Sequence, residues 1–443
     1  MILLKLILIS LYIRSWLKSR HSRLVEPSDF FVLSFLLIYV PGFIFNPSGQ
    51  TTLNGLHLPS EAATRAEIGM LIMLAAGSTV FILRRYAERR FDSLTRQVQE
   101  ISTKRSALVI AGIAALCLAV MFSLLMISPE FRKFKLDILR FFSFQFEGSD
   151  YRRLRNESYS DGWIIEGILA RARFTVLPIL FCLVLYPLLE KKRLIFAAGL
   201  AALIFVALPA SLSKLPIFFF IGYAVILGAC RYPRFLDIRL LAAMLVIATV
   251  IIVTMLVVLY TAQYQSAVIN GTVLPLNLAI ERIWGETYSV IVRYFTVYPE
   301  MLSHTGFSGI NLLAKFFGLP ARLPDIEVAK VLLGNDSGSN PGVYFLGGYA
   351  AFGMPGLVAY ALLGSLLLWS LDFLGRKIRV ASLRATYLAV VGMNLVFLNQ
   401  IALHTALVTY GIALVPIILL CLDVLVRRIV REENCQAHRS AYS

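Results

Sequence analysis

Two polar stretches of this otherwise apolar chain gather the side chains best suited to handling a phosphorylated substrate. In residues 128–173 these are Arg152, Arg153, Arg155, Arg171 and Arg173, interleaved with Asp150, Asn156, Tyr159 and Asp161. In residues 263–342 they are Glu281, Arg282, Glu286, Arg293 and Arg322, followed by Asp325, Asp336 and Asn340. A guanidinium grips phosphate oxygens through a two-pronged fork and keeps its charge at every physiological pH. Clustered arginines outside a membrane therefore suit a diphosphate better than a neutral sugar. Lys214, in the tight turn Ser211–Leu212–Ser213–Lys214, adds a cation able to neutralise a phosphate. Glu281, Glu286, Asp325, Asp336 and His304 are the candidates for a base that deprotonates a hydroxyl. Trp163, Trp284, Tyr344 and Tyr349 are flat rings able to stack on sugars. Each residue also has a plainer reading. Arginines pair with lipid headgroups or neighbouring carboxylates, a lysine at a helix end snorkels, and interfacial aromatics occupy the headgroup belt.

Other chemistries lack their residues. The five cysteines, Cys117, Cys182, Cys230, Cys421 and Cys435, avoid both polar stretches and form no CxxC pair, so neither a disulfide framework nor a thiolate metal site is expected. The histidines are scattered without HExxH, and no Walker-type or GxGxxG loop is present. No metal and no cofactor is expected. The net charge of +16 comes mainly from short clusters between apolar runs, the pattern by which membrane proteins encode orientation, so nucleic acid is not an expected partner. Asn156, Asn270 and Asn335 each begin an N-x-S/T triplet, to which no role is assigned.

The elements that must position these groups are membrane helices. Hydrophobic residues make up 58% of the chain, and runs such as Leu240–Ala262 and Ala107–Ile127 are long enough to cross a hydrocarbon core of about 30 Å. The whole of 1–443 reads as one all-α polytopic integral membrane domain of about ten or eleven transmembrane helices. Spans are expected near 28–47, 66–83, 107–127, 174–189, 194–212, 215–230, 240–262, 343–369, 385–402 and 405–426. Met1–Ile13 is expected as an interfacial or marginal helix, since it is short for a span and lacks a small-residue cleavage site. Clusters at Arg84–Arg105, Lys191–Arg193, Arg231–Arg239, Arg376–Arg384 and Arg427–Arg431 mark one side as cytoplasmic. The opposite side holds little beyond Arg65 and Lys214 in its short connectors, and it receives both long loops, 128–173 and 263–342. Within the first loop, Phe131, Phe134, Ile138, Phe141, Phe142 and Phe146 recur at near-helical spacing among basic residues. They predict an amphipathic helix lying on headgroups or packed on other helices. The spans read as nearly free of charge and the loops as large, a pattern opposed to a transporter.

Three stretches carry a likeness to a known family. They are Phe146–Gly148 through Tyr151–Arg152–Arg153; Ser213–Lys214–Leu215–Pro216; and Asn340–Pro341–Gly342–Val343–Tyr344 through Gly347, Phe352–Gly353 and Gly356. With the many spans and two arginine-bearing loops, the chain resembles the Wzy-type O-antigen and oligosaccharide repeat-unit polymerases. The resemblance implies a multi-pass bacterial inner-membrane glycosyltransferase, independent of metal, whose active face is periplasmic. Its substrate would be an undecaprenyl-diphosphate-linked oligosaccharide and its surroundings membrane lipids, with a chain-length regulator as a further partner. It implies catalytic roles for Arg282, Glu281 and Arg153. Diphosphate or glycan binding would fall to Arg152, Arg155, Arg171, Lys214, Arg293, Arg322 and Asn340. Some members space arginine and glycine by ten residues in both loops; here Arg152 to Gly162 is one shorter and Arg322 to Gly334 one longer. The O-antigen ligases share this architecture and donor, and a lipid-linked oligosaccharide flippase is a third reading. A transferase using polyprenyl-monophosphate sugars would carry acidic residues in its first outer loop, where residues 48–65 offer only Glu61.

Overall fold

The structure, a computed structural model, describes residues 2–20, 24–45, 58–95, 104–127, 175–193, 195–200, 214–231, 237–263, 274–334 and 342–440. Among these the chain is helical without strands. In order come α1 (Ile2–Ser19), α2 (Pro27–Ile38), α3 (Val40–Phe45), α4 (Ser60–Thr95), α5 (Lys104–Ile127), α6 (Val176–Glu190), α7 (Lys214–Arg231) and α8 (Ile238–Gln263). Then follow α9 (Pro275–Ile280), α10 (Glu286–Val297), α11 (Asn311–Phe316), α12 (Pro324–Leu333), α13 (Leu346–Lys377), α14 (Ala381–Leu395), α15 (Leu403–Thr409) and α16 (Leu414–Ser440). Four stretches among the described residues are long and apolar enough to cross a membrane: Pro27–Phe45, Ser60–Glu88, Leu346–Lys377 and Ala381–Asn399. The all-helical membrane class follows; the first polar loop, 128–173, lies outside the described residues.

The chain divides into two compact units. One comprises Met1–Arg96, Asp237–Ser370 and Leu395–Ala406, and the other Gln97–Leu236, Leu371–Asn394 and Leu407–Ser443. In the first, α1 packs along α4, α4 along α10, and α8 against α2 and α9. The residues expected as a marginal helix thus run on to Ser19 and bury Lys5, Ile9, Tyr12 and Trp16. In the second, α6 packs on α5 and α7. There Asp423 accepts the backbone N–H groups of Arg379 and Val380 at 2.9 Å each, satisfying donors just before α14.

The few charges at the expected spans are partnered: Asp29 and Glu67 fall within 28–47 and 66–83, and Arg84 stands just past the second. Arg84, 0% exposed, meets Glu26 at 2.6 Å and Glu88 at 3.1 Å. Asp29 meets Arg20 at 3.0 Å and accepts from Trp16 Nε1 at 3.0 Å. Lys5 Nζ sits 2.6 Å from Glu67 and donates to the Phe43 carbonyl at 3.0 Å. Opposite charges from separate helices neutralise one another, which makes ionisable groups tolerable at membrane depth, and hydropathy along one helix does not register it.

Three expected spans are broken, each for a backbone reason. In 28–47 the helix breaks at Tyr39, because Pro41 has no N–H to return to the Leu37 carbonyl. In 405–426 the break falls at Gly411, φ +68°, and the helix beyond continues to Ser440. In 343–369, Phe352 (φ −134°, ψ 16°) and Gly353 (φ +66°, ψ −150°) fold α13 into an elbow. Residues 348 and 356 of a straight helix stand about 12 Å apart along its axis. Here a Cβ on Gly356 would collide with the Gly348 carbonyl, and one on Gly348 with the Tyr360 ring. Leu346–Ala351 is therefore a short arm laid back on the main helix, and only Pro355–Lys377, about 34 Å at 1.5 Å per residue, is available to span.

Candidate functional site

The second polar stretch begins as a helix with a defect. Between α9 and α10, residues Glu281–Gly285 form a single π-turn, and the Glu286 N–H reaches back to the Glu281 carbonyl. Such an insertion re-aims the side chains around it and recurs at functional positions. Glu281 is half-buried, and burial, with the Glu286 charge as a smaller contribution, raises its pKa above the ordinary carboxylate range. Arg282 is exposed and forms no ion pair among the described residues. Trp284 is fixed by the proline break of the first hairpin: its Nε1 donates at 2.8 Å to the Leu37 carbonyl that Pro41 leaves free. Arg293, 2% exposed, turns inward and pairs with Glu286.

Further along, polar groups converge beside the elbow of α13. Pro324 opens α12, a position where its missing N–H is harmless, and Asp325 and Glu327 stand in the first turn, where the helix dipole favours acids. Glu327 holds Arg322 in a two-pronged pair, 2.6 Å to Nε and 2.9 Å to Nη2, and accepts the Tyr298 hydroxyl at 2.5 Å. Burial, then the bond to Glu327, push the Tyr298 pKa well up, so the phenol stays protonated. The His304 ring lies nearly parallel to Tyr298, centroids 6.1 Å apart, and edge-on to Tyr349 at 5.7 Å. A Cβ on Gly353 would sit 3.1 Å from His304 Nε2, so the elbow's left-handed glycine also makes room for the imidazole. Thr305 N donates at 2.9 Å to the Ala350 carbonyl, which the elbow frees from its helical partner. Next to this, Glu300 and Glu61 both take Arg65, at 2.9 and 2.8 Å.

Of the residues singled out in sequence, Arg322 and His304 come together here. Glu281 and Arg282 share the π-turn, with Glu286 and Arg293 on the helix that follows. Asp325 is half-buried in the first turn of α12. Asp150, Arg152, Arg153, Arg155, Asn156, Tyr159, Asp161, Trp163, Arg171, Arg173, Asp336 and Asn340 lie outside the described residues, and of Lys214 only the backbone, at the start of α7, is described. The sugar-stacking expectation is corrected for two aromatics. Tyr344 is buried under Gly364, and Tyr349, also buried, stacks on Phe295 at 3.9 Å and donates to the Tyr298 carbonyl. Trp284 is half-buried, with its Nε1 engaged by Leu37. Glu327 and Tyr298 are not among the sequence candidates, and Arg65 enters there only as a cation of a short outer connector. Glu327 was readable as an acid in the first turn after a proline, and Arg65 as a cation on the side where cations are rare.

His304 Nδ1 is enclosed without a hydrogen-bond partner among the described residues, a position that gains from a bound hydroxyl or water. Arg322, Arg293 and Arg65 each have a carboxylate, so the cluster at the elbow brings hydrogen-bonding groups with little net positive charge, while Arg282 and Lys315 are exposed cations elsewhere in the stretch. Among the described residues no group of histidine, cysteine or acidic side chains is arranged to hold a metal ion. Comparison with protein-family models, with curated proteins and with solved structures finds no match to this chain.

Proposed function

We propose that the protein lengthens a lipid-linked glycan, transferring the chain carried on one polyprenyl diphosphate to a sugar hydroxyl of another lipid-linked repeat unit, as a Wzy-type O-antigen polymerase does. The observation that carries this reading is the half-open cluster at the elbow of α13. Arg322, Glu327, Tyr298 and His304 there supply closely spaced donors and acceptors with their charges balanced, which suits sugar hydroxyls. In the transfer, the bond from the donor's anomeric carbon to diphosphate oxygen breaks and a bond from that carbon to the acceptor oxygen forms. The acceptor proton passes to a base, for which His304 is our assignment, with Glu281 the carboxylate alternative. The electron pair leaves on the diphosphate, whose growing charge falls to Arg282; Arg152, Arg153, Arg155, Arg171 and Lys214 keep only the roles that the family resemblance implies. Arg293, enclosed with Glu286, holds the π-turn in place.

Deleting the gene and resolving lipopolysaccharide beside the lipid-linked glycans tests the reading. Lipid A-core capped by one repeat, with no ladder, is the expected result, restored by the wild-type gene and not by His304→Ala or Arg322→Ala. Uncapped core with long glycan on the carrier would assign a ligase, uncapped core with single repeats a flippase, and an unchanged ladder would overturn all three.

A further inference from the structure

The second polar stretch carries a surface that water does not explain. Around the His304 cluster, Met301, Phe307, Phe316, Phe317, Leu319 and Leu323 are all exposed, Phe316 to 80%. Exposed apolar surface of this density marks a contact with something apolar. The rings also order one another: Phe316 and Phe307 lie 5.1 and 5.4 Å from Phe317, and Phe307 meets Phe352 edge-on at 5.4 Å. Phe352 is the elbow residue of α13. Beyond it, the same helix turns Val358, Leu362, Leu363 and Leu366 outward, the face a spanning helix offers to lipid. The aromatic patch therefore continues the lipid-facing surface of a span, and Lys315, exposed among the rings, is a cation suited to headgroup phosphates.

We propose that residues 301–323 are seated in the bilayer at the boundary between headgroups and acyl chains, with Phe307, Phe316 and Phe317 inserted and Lys315 at phosphate level. Rings in the apolar boundary and a cation at the surface are the division expected of an interfacial segment. The seating is independent of the reaction assigned above. It brings His304 and Arg322, which lie within this segment, to headgroup depth.

Phe316→Trp is a conservative change at an exposed position, and subtracting wild-type emission isolates the new fluorophore from the native tryptophans. The full-length protein is reconstituted in phosphatidylcholine vesicles, plain or brominated near the carbonyl end of the acyl chains, and titrated with acrylamide. The expected result is blue-shifted added emission, quenched several-fold more by brominated lipid than by acrylamide. Emission quenched by acrylamide and indifferent to bromine would overturn the proposal in favour of a water-facing loop. Emission indifferent to both would overturn it in favour of a protein cover such as a second copy. Leu319→Trp reads the same surface should Phe316→Trp not fold.

Discussion

Arginine–carboxylate pairs occur in two settings within the first unit, and their burial separates their roles. Between α1, α2 and α4, Arg84 with Glu26 and Glu88, and Asp29 with Arg20, are closed off from solvent and satisfied from several helices. Beside the elbow, Arg322 with Glu327 is about a quarter exposed and Arg65 shares exposed Glu61 and Glu300. A closed pair contributes mainly by what its loss would leave behind, an uncompensated charge in a low-dielectric interior. A half-open pair contributes little to stability and keeps groups a ligand can reach. The same chemistry thus makes a fastener in one region and a site in the other.

The contrast can be broken most directly at Arg84. Arg84→Ala should destabilise the protein by about 3–5 kcal/mol, seen as a large fall in the thermal transition in detergent, because buried Glu26 loses the guanidinium that balances its charge. An unchanged transition would dissolve the distinction. In the open region, His304→Gln should slow glycan extension about 100-fold with an unchanged transition, read by a reconstituted assay beside the melting curve. A parallel loss of both would make His304 part of the fastening. Gly353→Ala tests the join between scaffold and site. Its backbone lies in a region reserved for glycine and its new methyl meets His304, so a cost of about 1–3 kcal/mol accompanied by loss of extension is expected. For Glu327→Gln the stability cost should be at most about 1 kcal/mol, and a fall as deep as that of Arg84→Ala would refute the proposed division.

The smallest effect is one of pH. The folded Glu281 carboxyl has a raised pKa, so the folded state takes up its proton more readily than the unfolded chain. Its contribution to stability is greatest in acid and declines as pH rises from the unfolded value through the folded one. Glu281→Gln should therefore raise the thermal transition slightly at pH 7 and lose that advantage near pH 4; a gain that persisted in acid would mean burial is not the cause.

Much of the scaffold was legible along the chain. Apolar runs located α5, α7 and α8 to within a few residues because such signals are local, whereas the run at 66–83 gave only the middle of α4, which extends from Ser60 to Thr95. The partnered charges were not legible, since Lys5 and Glu67 are far apart in sequence and only the packing of α1 on α4 joins them. The site was half legible. Arginine chemistry pointed to Arg322 and Arg282, but distinguishing them required knowing that Glu327 holds one and that the other stands exposed on a π-turn. The aromatic residues misled for a related reason: residue type gives a ring's capacity to stack, and burial decides whether it is offered.

The elbow of α13 bears on how this protein can be traced through descent. Gly348, Gly353 and Gly356 fail together if any acquires a side chain, since two back onto one another and the third carries the turn over His304. Charges on the loop surface carry no such packing constraint, so the spacing Gly348–Gly353–Gly356 is the feature by which distant relatives should be sought.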